Sequence, residues 1–148
     1  MNRVEIRREG VEPPPWQDRA AFFAAAVLEK LEKHHWDLSV LFCGNDFIRS
    51  LNARYRNRDE ATDVLSFNLG ETDGERYLPG DIVISLEKLM ENAEYFKVSP
   101  DEELRRLLIH GILHLSGMDH AGPGKEEPML IKQEALLEAL GTERIMDI

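Results

Sequence analysis

An α/β (α+β) fold is predicted for this 148-residue chain: a single domain with about four strands in one mixed sheet, packed with about five helices, and a metal site at the end of a central helix. Three observations predict it. Short apolar runs of strand length alternate with longer segments whose apolar residues recur every three or four positions. Ser99-Pro100-Asp101-Glu102 is a helix start, and the apolar stripe after it runs on to Gly117. No repeat, low-complexity tract or linker divides the chain, whose length suits one domain spanning 1–148 with its own core.

The elements follow in order. Val4 and Ile6 alternate with charged residues, as in a strand with one buried face. Pro13-Pro14-Pro15 breaks it. From Trp16 to about Lys33 the spacing predicts a helix, with Phe22, Phe23, Ala26, Val27 and Leu31 on its apolar side. His34 and His35 follow; they offer no second spaced partner and read as cations at a helix end. Leu38 to Cys43 reads as a second strand. Asn45 or Asp46 can cap the next helix, which carries Phe47, Ile48, Leu51 and Tyr55. Val64 to Phe67 and Ile82 to Ile84 are two further strands, joined by a polar, turn-rich connection from Gly70 to Arg76. A helix starts near Ser85 and runs to about Lys97. Ser99 caps the next one, with Pro100 at its first position and Glu102 placed to complete a capping box. Gly122-Pro123-Gly124 marks a loop. A last amphipathic helix runs from about Glu126 to Leu140, with Met129, Leu130, Leu136, Leu137 and Leu140 on its apolar side.

Composition narrows the class. Lys plus Arg number 18 against 28 Asp plus Glu, a formal net charge of -10. That balance argues against coating nucleic acid through a broad basic surface and leaves room for an enzyme with a small basic cleft. The one cysteine, Cys43, lies in an apolar run and reads as a buried small side chain in a reducing compartment. The first nine residues hold no apolar signal core, and no stretch is long enough to span a bilayer, so a cytoplasmic location is expected.

The chemistry concentrates in His110-Gly111-Ile112-Leu113-His114-Leu115-Ser116-Gly117-Met118-Asp119-His120. His110 and His114 are four apart, so on a helix they share one face. Gly117 can take the left-handed backbone that ends a helix, letting the chain bring His120 to the same point. Three imidazoles and one open position describe a catalytic zinc site better than a closed structural one. Asp119 is either a solvated turn residue or a partner to a ligand. The same spacing is found in metzincin peptidases, whose general base is a glutamate directly after the first histidine. Here that position is Gly111, so peptide hydrolysis by that route lacks its base. Phosphodiester chemistry suits the site better, since cationic groups can meet the added negative charge.

Such cations are present between Arg49 and Arg58. Arg49 and Arg54 read as the wet side of their helix. Arg56 and Arg58 sit where it gives way to a loop, a better place for substrate contact. Thr62 and Asp63 can bond to nearby backbone in the turn that follows. Asp81, at the opening of a strand, is either a turn residue or a carboxylate that steadies a histidine.

Three blocks together resemble the YbeY family of endoribonucleases: Leu51 to Asp59 with Thr62-Asp63-Val64-Leu65-Ser66-Phe67, then Gly80 to Ser85, then His110 to His120. The resemblance implies a single-strand-specific, metal-dependent endoribonuclease acting in ribosomal RNA processing, at the small-subunit RNA 3′ end, and in ribosome quality control. It carries His110, His114 and His120 over as ligands of one Zn2+ ion, and Arg56 as the catalytic arginine. The implied partners are single-stranded RNA and the small ribosomal subunit, with no membrane and no DNA. Ala61 and Asn68 stand where the family commonly has proline, and Met118 where it has an aromatic. Two other readings remain: a zinc-dependent peptidase-like hydrolase, and a ribosome-assembly binding factor whose metal is structural.

Overall fold

The computed structural model describes residues 1–118 and 126–147, with every side chain among them except those of 126 and 127. The elements run β1 (Arg3–Glu9), α1 (Gln17–Lys30), β2 (Asp37–Cys43), α2 (Asn45–Arg56), β3 (Val64–Asp73), β4 (Arg76–Ser85), α3 (Leu86–Phe96), α4 (Pro100–Leu115) and α5 (Glu126–Ala139). The strands form one sheet in the order β1-β2-β4-β3. β1 pairs parallel with β2, and β2 parallel with β4; β3 pairs antiparallel with β4, so the sheet is mixed, as expected. Among the described residues no helix is long and apolar enough to cross a membrane.

Strand side chains alternate between faces, and the two faces carry different loads. Leu38, Val40, Phe42, Ile82 and Ile84 enter the larger cluster, with α1, α4 and α5. Leu41, Cys43, Leu65, Val83 and Phe67 enter a smaller one, under α2. The helix that spans the larger face is α4, where Leu104, Leu108, Ile109, Ile112 and Leu113 are wholly buried. Each such side chain contributes about 1.5–3 kcal/mol on burial. Together they outweigh any single polar contact in fixing where α4 lies.

The start and stop of α4 are both local. Ser99 caps it, its Oγ accepting from the Glu102 N–H at 3.0 Å, with Pro100 in the first turn. The reciprocal half of the expected box is replaced: the Glu102 carboxylate takes Arg106 at 3.1 Å. At the far end Gly117 has φ +100, its N–H donates to His114 O, and the Met118 N–H reaches back to Leu113 O. That double closure satisfies the last carbonyls and stops the helix directly after the second histidine. Asp101 is fully buried and anchors the chain's end. One oxygen accepts from the N–H groups of Ile145 and Met146, at 2.7 and 2.8 Å, and the other from Arg105 at 2.9 Å.

Several elements differ from expectation. Phe22 is 73% exposed; the buried stripe of α1 is Ala20, Phe23, Ala24, Val27 and Leu28, one residue out of step with it. The polar connection from Gly70 to Arg76 is a β-hairpin, because pairing continues through Glu71, Thr72 and Asp73 opposite Leu78, Tyr77 and Arg76. A register shift between Asn68 and Glu71 hides the strand pattern from the sequence. Gly80 is required there: a Cβ on it would collide with the Phe67 carbonyl oxygen. Finally, α2 is not capped by Asn45 or Asp46. Gly44 is its N-cap, and the Asn45 N–H donates 2.8 Å to Glu87 of α3.

Candidate functional site

His110 and His114 lie in the last two turns of α4, with ring centroids 4.8 Å apart and planes at 75°. His110 Nδ1 is 2.7 Å from Gln133 Oε1 of α5. The Gln133 amide nitrogen donates to Glu134 at 3.1 Å, which turns the amide oxygen toward the histidine. An amide oxygen only accepts, so Nδ1 is the donor, and in the neutral ring that leaves the lone pair on Nε2. That is the tautomer a metal-binding imidazole needs, and the outer contact is of the kind that orients such ligands. Gln133 was not foreseen; a lone glutamine on an amphipathic helix carries no signal of what it faces.

His120 and Asp119 lie outside the described residues. Among the described residues no three His, Cys, Asp or Glu side chains are arranged to hold a metal ion. The expected ligand set is thus represented by the pair His110 and His114. Two imidazoles on one helical face, one with its tautomer set, fit a borderline-soft divalent cation such as zinc.

The opposite wall comes from the end of α2 and the start of β3. Both histidines line a cleft of about 510 Å³ with Arg56, Asp63, Ser66 and Asn68. Arg56 is held in place: it donates to the Ser66 carbonyl at 2.6 Å and stacks over the Phe67 ring at 5.2 Å. Asn57 then turns the chain with φ +56, and the buried Asn52 side chain ties the loop by donating to Glu60 O at 3.0 Å. The neighbouring arginines point elsewhere. Arg49 pairs with Asp59 at 2.8 Å, Arg58 with Glu60 at 3.7 Å, and Arg54 lies over Tyr55. Asp63 closes its own turn, accepting from the Val64 N–H at 2.7 Å and from Asn92 at 3.1 Å. Of the positions unusual for the resemblance, Asn68 lines the cleft, Ala61 packs beneath α2, and Met118 packs against the main core.

Among the described residues Asp81 approaches no histidine, and it is not a turn residue. It is paired with Ser39 and Phe67 inside the sheet, and its carboxylate takes Arg7 at 3.3 Å on the α2 side. Its neighbour Ile82 faces α4, and strand alternation sends Asp81 the other way. His34 and His35 sit in the exposed turn before β2, where the His35 carbonyl accepts from the Tyr77 N–H. Cys43 is wholly buried, as expected, and burial pushes its thiol up to about 11.

Gly111 is where α4 comes closest to the sheet: a Cβ there would lie 2.8–3.0 Å from three Ile82 side-chain carbons. The position that would carry a peptidase's glutamate therefore faces Ile82. Two turns before His110, Glu103 is nearly buried, and that burial raises its carboxyl above the usual range against the pull of Arg106.

The fold and the site define a small α+β protein in which two helix-borne imidazoles and one anchored guanidinium face a common cleft. The family model for endoribonuclease YbeY matches residues 6–141. A Treponema pallidum protein named endoribonuclease YbeY is 49% identical over 145 residues, covering 93% of this chain and 89% of its own length. Its namesake in Treponema denticola is 50% identical over 133 residues, covering 85% and 86%. A solution structure of a Thermotoga maritima protein is similar with a TM-score of 0.68 at 30% identity, covering 94% of this chain and 90% of that one. The chain belongs to the YbeY endoribonuclease family.

Proposed function

We propose that this chain is a metal-dependent, single-strand-specific endoribonuclease of the cytoplasm, acting in ribosomal RNA processing at the small-subunit RNA 3′ end and in ribosome quality control. The observation that carries the reading is the meeting of Arg56, His110 and His114 on one cleft in a chain of this family. His110, His114 and His120 would hold one zinc ion, and Gln133 keeps the His110 tautomer that binding requires. Zinc on such a donor set supplies Lewis acidity toward a phosphoryl oxygen.

The remaining work falls to the chain itself. Arg56 presents a planar fork of donors to phosphate oxygens, strengthening as negative charge develops on them. The Ser66 carbonyl and the Phe67 ring hold that guanidinium before substrate arrives, so little ordering is left to the reaction. The cleft is open and polar, which suits an extended single strand with its backbone accessible. The peptidase reading finds no support, since Gly111 offers no base and its position faces Ile82.

The test uses untagged wild type and His114→Ala on single-stranded and duplex RNA, before and after chelation. The expected result is cleavage of the single strand by wild type, lost on chelation and lost in the variant. Equal cleavage by both proteins would mean a contaminating nuclease and would overturn the reading. Wild type that binds RNA and never cuts it would point instead to an assembly factor.

A further inference from the structure

Beside the histidine–arginine cleft lies a second cavity of about 460 Å³, between the end of α3, α4 and α5. Asp63, Val64 and His110 line both, so the two spaces adjoin. The cavity's other lining is mostly apolar, and two of its members are unusually exposed: Phe96 at 59% and Leu130 at 45%. Tyr95 meets Phe96 edge-on, with ring centroids 5.0 Å apart at 85°, and so restricts how that ring lies. The same lining includes the Glu103 side chain, 6% exposed, whose ion pair with Arg106 spans 3.6 Å, longer than a hydrogen bond. Arg106 is turned mainly to Glu134 and Glu102. An aromatic rim over an apolar pocket with a carboxylate inside is not explained by the cleft's phosphate chemistry.

We propose that this cavity is a nucleobase subsite, in which an unstacked base flanking the scissile phosphate packs on Phe96 and presents an exocyclic amino group to Glu103. It rests on the reading of the adjoining cleft as an RNA site. Unstacked bases of single strands bind by stacking on aromatic rings, which every base allows. Charge sorts the two halves of a nucleotide here. Arg106 also lines the cavity, but Glu134 and Glu102 already take its donors, so Asp63 and Glu103 disfavour a phosphate, which stays with Arg56, while a neutral base meets no such barrier. An ionised carboxylate accepts hydrogen bonds and cannot donate them. Guanine, with two adjacent donors, fits best; uracil fits worst, because its ring N–H is flanked by two carbonyls that face the carboxylate.

The experiment compares wild type, Phe96→Ala and Glu103→Gln on short single-stranded RNAs, each carrying one abasic ribose at a different position. Thermal melts check that both variants fold. Phe96→Ala should slow cleavage of intact RNA roughly ten- to a hundredfold. At one abasic position, and one only, the substitution should slow it no further, because the stacking partner is already gone. At that position wild type should prefer guanine to uracil, and Glu103→Gln should cut the preference roughly tenfold. Additive effects at every position, or a base profile unchanged by Glu103→Gln, would overturn the subsite and leave the nuclease reading standing. If wild type cuts no RNA, that reading falls instead, and the same cycle read as binding anisotropy decides the subsite: additivity there overturns it.

Discussion

At the N-terminal end of α4, Asp101 has no exposed surface and its two oxygens take two backbone N–H groups and Arg105. At the C-terminal end, His110 and His114 are partly exposed and line a cleft. Both ends put polar side chains on one helix of the core, but the first is sealed inside the protein and the second lines a cleft. The difference separates structure from chemistry. A buried charge surrounded by its own chain's donors holds the fold together, whereas imidazoles that line a cleft beside an anchored arginine are placed where a ligand can reach them.

The sharpest way to break the comparison is Asp101→Ala. It strands Arg105 and leaves the N–H groups of Ile145 and Met146 without their acceptor, so about 3–5 kcal/mol should be lost. Chemical denaturation measures it, and an unchanged midpoint would mean the C-terminal anchor is idle. Arg56→Ala should do the reverse: melting stays put, while cleavage falls roughly a hundredfold or more, about 3 kcal/mol of lost charge stabilisation. A large drop in melting temperature would move Arg56 to the structural side.

Gly111→Ala probes the helix between the two ends. Alanine normally gains about 1 kcal/mol over glycine in a helix. Here its Cβ would press on the wholly buried Ile82, and overpacking costs about 1–3 kcal/mol, so net destabilisation is expected. A more stable variant would show that α4 can shift off the sheet. The smallest effect concerns Glu103. Its carboxyl is raised by burial, so the folded chain keeps the proton to higher pH than the unfolded one. Stability should therefore fall as pH rises from the ordinary carboxyl range through that raised value. Glu103→Gln should flatten this slope and raise melting at neutral pH by no more than a few degrees. A slope that persists in the variant would assign it to another group.

What was legible in the sequence was local. Ser99, Pro100 and Gly117 mark the ends of α4 through capping chemistry that needs no tertiary partner, so the histidine pair's face could be read directly. Arg56 was legible as a cation at a helix end, and the structure turns it into the cleft while Arg58 stays with Glu60. What was not legible depends on partners distant in sequence. The face taken by Asp81 follows from strand register, which no local pattern supplies. The hairpin through Gly74 is masked by an irregular register near Asn68. Gln133 and Glu87 act on residues more than twenty positions away, and nothing around either marks it as a hydrogen-bonding partner. Phe22 shows the limit of periodicity: one residue off the stripe, the same apolar side chain faces water.

Metal stoichiometry tests the central claim most directly. Elemental analysis of untagged wild type beside His110→Ala, His114→Ala and His120→Ala should find about one transition-metal ion per chain in wild type and loss of it in each folded variant. A variant that folds and keeps a full equivalent, or a metal-free wild type that still cuts single-stranded RNA, would contradict the account.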